Sequence, residues 1–89
     1  MKYTGTITSI SETQQVSDKF AKREFIATDK TEQYPQTILF ECHQNNCSLL
    51  DSFRVGSLVE IDFNLRGKEN NGRNYNTLVA WKISNKQVQ

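Results

Sequence analysis

One proline, four glycines, two cysteines and one histidine are all that the 89 residues hold of the types that punctuate, cross-link or ligate. So little Pro and Gly leaves no stretch that reads as an interdomain linker, and one domain is expected, spanning residues 1–83 with a loose tail over 84–89. Cys42 and Cys47 are too few for a disulfide scaffold and are expected as reduced thiols in a cytosolic setting. The apolar runs are too short for a membrane span or a signal-peptide core, and Met1-Lys2-Tyr3 already reads as strand. A cytoplasmic location without a membrane partner follows. Charge of one sign is lacking too. Eleven Lys and Arg against ten Asp and Glu give +1, so nothing attracts phosphates from a distance and only the distribution of charge can matter.

What is present is enough to fold. Hydrophobic residues at 36% and charged residues at 24% fit a packed domain, although a core this small is modestly stable and would gain from self-association. Lys2 to Ile10 alternates with period two, is rich in β-branched residues and carries Gly5 where a strand can bend. After a polar stretch, Phe20 to Thr28 reads as strand two, followed by a turn at Asp29 to Glu32. Strand three runs from Pro35 to Cys42. Asn45 or Asn46 then caps a short helix over Cys47 to Phe53, with Leu49, Leu50 and Phe53 on one face. Alternation from Val55 to Arg66 marks strand four, with a solvated face that includes Glu60 and Asp62. Asn71-Gly72 signals a hairpin into strand five, Asn74 to Ile83.

Five strands with one short helix between the third and fourth is the element order of the OB-fold, a five-stranded Greek-key barrel, and an all-β domain of that type is expected. An SH3-like or Sm-like barrel is the rival and normally lacks a helix at that position.

Strands two and three carry Phe25-Ile26-Ala27 and Ile38-Leu39-Phe40, apolar on both parities. One face fills the barrel, and the other should meet a ligand or a second subunit, so a homo-oligomer is expected. In OB-folds this surface, bordered by the loops joining strands one to two and four to five, takes oligonucleotides or oligosaccharides. Lys19, Phe20, Lys22 and Arg23 lie at one border and Arg66, Lys68, Arg73 and Tyr75 at the other, with Tyr34 and Phe40 contributed from around strand three. Basic charge interleaved with aromatics supplies phosphate neutralisation plus stacking on bases, without reading sequence. The plainer reading is that Phe20 and Tyr75 pack at the rim and the charges solubilise hairpin tips.

Cys42, His43 and Cys47 fall one ligand short of a closed zinc site, so no metal or other cofactor is expected. The lone His43 has no partner set for nucleophilic catalysis, and no Gly-rich phosphate loop is present. A non-enzymatic role follows.

The residues Lys22-Arg23-Glu24-Phe25, Tyr34-Pro35, Phe40-Glu41, Val55-Gly56 and the stretch from Asn71-Gly72-Arg73 through Ala80-Trp81-Lys82-Ile83 resemble a family of small stand-alone proteins from Bacteroidetes and their phages or mobile elements. These are regarded as relatives of single-stranded DNA-binding proteins, and the resemblance spans Lys2 to about Ile83. It implies an OB-fold and a role with single-stranded DNA in replication or recombination. Bacterial single-stranded DNA-binding proteins end in an acidic tip that recruits partners. Ser84 to Gln89 has no acidic residue, so recruitment of that kind is not expected. The rival functions are an OB module that binds protein and an RNA-binding protein.

Overall fold

In the computed structural model, which describes residues 1–31 and 33–86, the order is β1 (Lys2–Ile10), β2 (Gln14–Ser17), β3 (Phe20–Thr28), β4 (Thr37–His43), a 3-10 helix (Gln44–Ser52), β5 (Leu58–Asn70) and β6 (Arg73–Asn85). Strand β1 serves two neighbours. Its first half pairs with β5 and its second half with β3, both antiparallel. The passage between them is made at Gly5, where a Cβ would lie 3.0 Å from the Thr28 carbonyl oxygen and 2.8 Å from Tyr3 Cε2. A register shift between Ile7 and Ser9 adds to the bend.

The sheet order is β1-β5-β6-β4-β3-β2, and the β1–β3 pairing closes β1, β5, β6, β4 and β3 into a ring. The β4–β6 contact is parallel, at Glu41 and Val79, and every other pairing is antiparallel. That connectivity, with a helix between β4 and β5, is an OB-fold-like all-β barrel. Among the described residues no helix is long and apolar enough to cross a membrane.

The core follows from period-two alternation. Phe25 and Ala27 of β3, Phe40 and Cys42 of β4, and Val59 and Ile61 of β5 all point inward and are buried. Phe40 is its centre: its ring stacks on Phe25 at 5.2 Å, meets Phe63 edge-on at 5.3 Å and lies 5.8 Å from Tyr3. On β6 a register shift opposite Asp62 and Phe63 inserts an extra residue, so Ala80 and Ile83 both reach the interior.

Several sequence expectations need correction. A sixth strand exists because Gln14–Ser17 folds back on β3 as an edge; its side chains are all exposed, so no apolar period betrays it. The helix is 3-10, begins at Gln44, and is capped by His43 without a side-chain bond rather than by Asn45 or Asn46. Its three-residue period buries Cys47 and Leu50 together, and Leu50 closes one end of the barrel. Strand β5 starts at Leu58, later than Val55, because the Gly56 N–H donates to Ile7 O and the Ser57 N–H to Arg54 O in a turn. It then runs to Asn70 as one arm of a ribbon beyond the barrel, turned by Asn71 (φ 56°) and Gly72 (φ 79°). Asp62 is buried, held between β1 and β6 with Lys2 Nζ at 3.9 Å, whereas a solvated position was expected. The tail expected from Ser84 is paired through Asn85, and the Lys86 N–H donates to Leu58 O. Residues 87–89 of that expected tail lie outside the described residues.

Candidate nucleic-acid interface

Paired residues of adjacent strands share a face of the sheet, so the register defines the barrel's outer surface. Because Phe25 and Phe40 are paired and point inward, the pairs Lys22–His43, Glu24–Glu41, Ile26–Leu39 and Thr28–Thr37 point outward. Glu41 is level with Val79 of β6, and Val79 with Asn64 of β5. Two and four residues further along the ribbon, Arg66 pairs with Thr77 and Lys68 with Tyr75; Asn70 pairs with Arg73 at its end. One face therefore runs from Lys22 across β3, β4 and β6 to the ribbon of β5 and β6.

Arg66, Lys68, Arg73 and Tyr75 come together on this face. All four are exposed, Tyr75 at 49%, and none of the three cations carries an ion pair among the described residues. Thirteen-residue strands at about 3.3 Å per residue reach about 40 Å, which accounts for the 45 Å long axis and carries these side chains well clear of the core. Tyr34, 73% exposed, sits in the β3–β4 connection. By the parallel β4–β6 register that connection lies at the ribbon end of the face.

At the opposite end are Lys19, Phe20 and Lys22. The Phe20 ring meets the His43 ring edge-on at 4.9 Å. Gln44, in the left-handed region at φ 55°, braces the turn before them: its Nε2 donates to Lys19 O at 2.6 Å, and its Oε1 accepts from the Ala21 N–H at 3.2 Å. Lys22 and Phe20 thus form one border of the face, and the ribbon forms the other.

Two expected site residues do not belong to the face. Phe40 is fully buried, because the alternation that puts Leu39 and Glu41 outside puts Phe40 inside. Arg23 also has inward parity. Its Nε donates to Ser11 O at 2.8 Å, and its Nη1 donates to Cys47 O at 3.3 Å and to Asp51 Oδ1 at 2.7 Å. It ties β3 to the helix.

The sequence reading missed Leu39, which is 51% exposed at the middle of the face and separates two grooves. One, of about 330 Å3, runs between β4 and β6 and is walled by Leu39, Glu41, Thr37 and Thr77. The other, of about 150 Å3, lies toward β1 and is walled by Leu39, Ile26, Glu24, Ser9 and Ser11. The signal was present, since Leu39 is the middle residue of an apolar triplet whose neighbours had to point inward. His43 Nε2 lies 2.9 Å from Glu41 Oε1, so the histidine is engaged on the outer face. Cys42 and Cys47 are free, buried thiols, and Cys47 Sγ donates to Cys42 O at 3.4 Å. Adjacent strand residues point to opposite faces, so His43 and Cys42 do not converge on one ion. Burial pushes the Cys42 thiol up to about 12, with the neighbouring Cys47 adding to the effect and Arg23 opposing it. Cys47 is raised as well, again by burial first.

No curated protein matches the sequence. Among solved structures, the chain is similar to the crystal structure of the small single-stranded DNA-binding protein from Streptomyces coelicolor. The TM-score is 0.58 and the identity 13%, over 97% of this chain and 92% of that one. At that identity the likeness is one of fold. Residues 2–84 match the family described as a domain of unknown function (DUF3127), and the chain belongs to that family.

Proposed function

We propose that this protein binds single-stranded DNA without catalysis and largely without regard to sequence, laying the strand across the outer face of β3, β4 and β6. The observation that carries this reading is the cross-strand pair Lys68–Tyr75, with Arg66 and Arg73 on the same face of the ribbon, next to an apolar groove at Leu39. Cations there neutralise phosphates while the exposed phenol ring stacks a base, and the ribbon's position outside the barrel leaves both free to meet a flexible strand. The fold likeness to a small single-stranded DNA-binding protein supports the reading. Lys19, Phe20 and Lys22 serve as the second border. The protein acts in the cytoplasm as a homo-oligomer, protecting or presenting strands during replication or recombination. Its setting is Bacteroidetes or their phages and mobile elements.

Titration of fluorescent oligo-dT, oligo-rU and duplex DNA at two salt concentrations tests this. Oligo-dT should bind most tightly of the three and weaken steeply as salt rises. Preference for oligo-rU would move the activity to RNA, and absence of any binding at low salt would leave the face to a protein partner. Sedimentation at tens of micromolar, about the range where weak pairing of small domains shows, checks the oligomer; a single monomeric species removes it.

A further inference from the structure

Glu24 and Glu41 stand directly opposite each other on β3 and β4, both pointing out from the middle of the face. Like charges in such a pair repel, with their Cβ atoms only about 5 Å apart. Glu41 Oε1 has His43 as a partner at 2.9 Å. The Glu24 carboxylate has neither an ion pair nor a hydrogen bond among the described residues, and the adjacent Arg23 is turned inward to Asp51. A small domain is keeping a repulsive pair at the centre of a surface whose ends are basic, and sites that break a local rule in this way are where function is to be sought. Each carboxylate also walls a different groove: Glu41 the one between β4 and β6, Glu24 the one toward β1, with Leu39 as the partition between them.

A phosphate is repelled from such a centre, whereas a donor is welcomed. Carboxylates are acceptors only, and the exocyclic amines of cytosine and adenine are donors, while thymine presents a carbonyl oxygen at the corresponding place. We propose that the two grooves are base subsites that favour cytosine or adenine over thymine, the amine donating to Glu41 in one groove and to Glu24 in the other. Leu39 separates the two bases. The inference rests on the single-strand reading above and adds to its stacking and phosphate contacts, which read no sequence, a modest preference set by these two side chains.

The experiment compares oligo-dC, oligo-dA and oligo-dT of equal length at one salt concentration, with the unmodified protein and with Glu24→Gln, Glu41→Gln and the double variant. The unmodified protein should bind oligo-dC or oligo-dA about 5-fold more tightly than oligo-dT, the low end of hydrogen-bonded base discrimination. An amide both accepts and donates, so the double variant should bring the oligomers together by strengthening oligo-dT. The single variants should each remove part of the difference, and melting curves should show no loss of stability, since a repulsion has been relieved. Equal binding of the three by the unmodified protein, or a preference that survives the double substitution, overturns the inference and leaves the single-strand reading standing. If no oligomer binds, both fall. A lysine-rich peptide that binds more tightly than every oligomer, and whose binding disappears in the double variant, would assign the grooves to a basic protein segment and overturn both as well.

Discussion

Arg23 Nη1 lies 2.7 Å from Asp51 Oδ1, an ion pair that fastens the 3-10 helix to β3 and removes from the outer face a cation that its place in the sequence had assigned there. The partners are unequal: the Arg23 side chain is 17% exposed and the Asp51 side chain 70%. The arginine also serves two backbone carbonyls, Ser11 O and Cys47 O, which lose a charged donor without it. Arg23→Ala should therefore cost about 2 kcal/mol in urea unfolding. Asp51→Ala should cost under about 1 kcal/mol, as expected for a pair with one exposed partner. In the folded fraction of Arg23→Ala, the salt dependence of oligo-dT binding should be unchanged; a lowered slope would return Arg23 to the phosphate-binding set.

The fold was legible because the barrel's inner face obeys period two. Val59 and Ile61, Phe25 and Ala27, and the Asn71-Gly72 turn all speak through local pattern. What could not be read was set by long-range pairing. The strand Gln14–Ser17 has no buried side chain to give it a period, and the inward turn of Arg23 depends on a helix residue 28 positions away. Asp62 looked solvated because alternation on one strand cannot show that β1 will cover it and bring Lys2. On the candidate face, the basic ribbon residues were found from composition and turn chemistry. The central residues Leu39, Glu24 and Glu41 became visible only once the register fixed which parity faces out.

That parity gives a direct test. Phe40→Ala removes the ring at the centre of the core and should destabilise by about 3–5 kcal/mol. Leu39→Ala, one residue earlier and half exposed, should change stability by less than about 1 kcal/mol. It should nevertheless weaken oligo-dT binding, because it removes the wall shared by both grooves. Thermal melts and titrations of the two variants separate the roles. Equal loss of stability in both would show that Leu39 is a core residue.

Cys42 predicts the alkaline limit of the fold. Its thiol stays protonated in the native state up to about 12, against an ordinary value of 9.0, chiefly because ionising it would bury a charge. A raised native value contributes stability that is full below pH 9.0 and is lost as pH climbs toward 12. The slope from this one thiol approaches about 1.4 kcal/mol per pH unit across that window. Cys42→Val, which keeps a small apolar side chain, should flatten the decline, and thiol-directed reagents should modify native protein slowly. Rapid labelling of Cys42 at neutral pH in folded protein would contradict the burial argument.

The ribbon of β5 and β6 carries the test on which the proposed function turns. Lys68, Arg73 and Tyr75 are all exposed there, so substituting them should leave the melting curve alone and report on binding without a folding term. Tyr75→Ala should cost about 1–3 kcal/mol of oligo-dT affinity if a base stacks on the ring. Lys68→Ala with Arg73→Ala should weaken binding and lower the slope of log affinity against log salt by about 0.7 for each single-strand phosphate that is no longer neutralised. The stacking variant should leave that slope intact, which distinguishes the two contributions within one set of titrations. Lys82→Ala is the control: it removes a comparable exposed cation from β6, but at the pairing with Asp62 beside β1 rather than on the ribbon, and should change neither affinity nor slope appreciably. If Lys82→Ala lowers the slope as much as Lys68→Ala and Arg73→Ala do, the protein attracts DNA through diffuse charge and the ribbon is no site. If all the ribbon variants bind oligo-dT like the unmodified protein, the strand follows another path over the barrel, and the Lys68–Tyr75 pair is surface chemistry without a ligand.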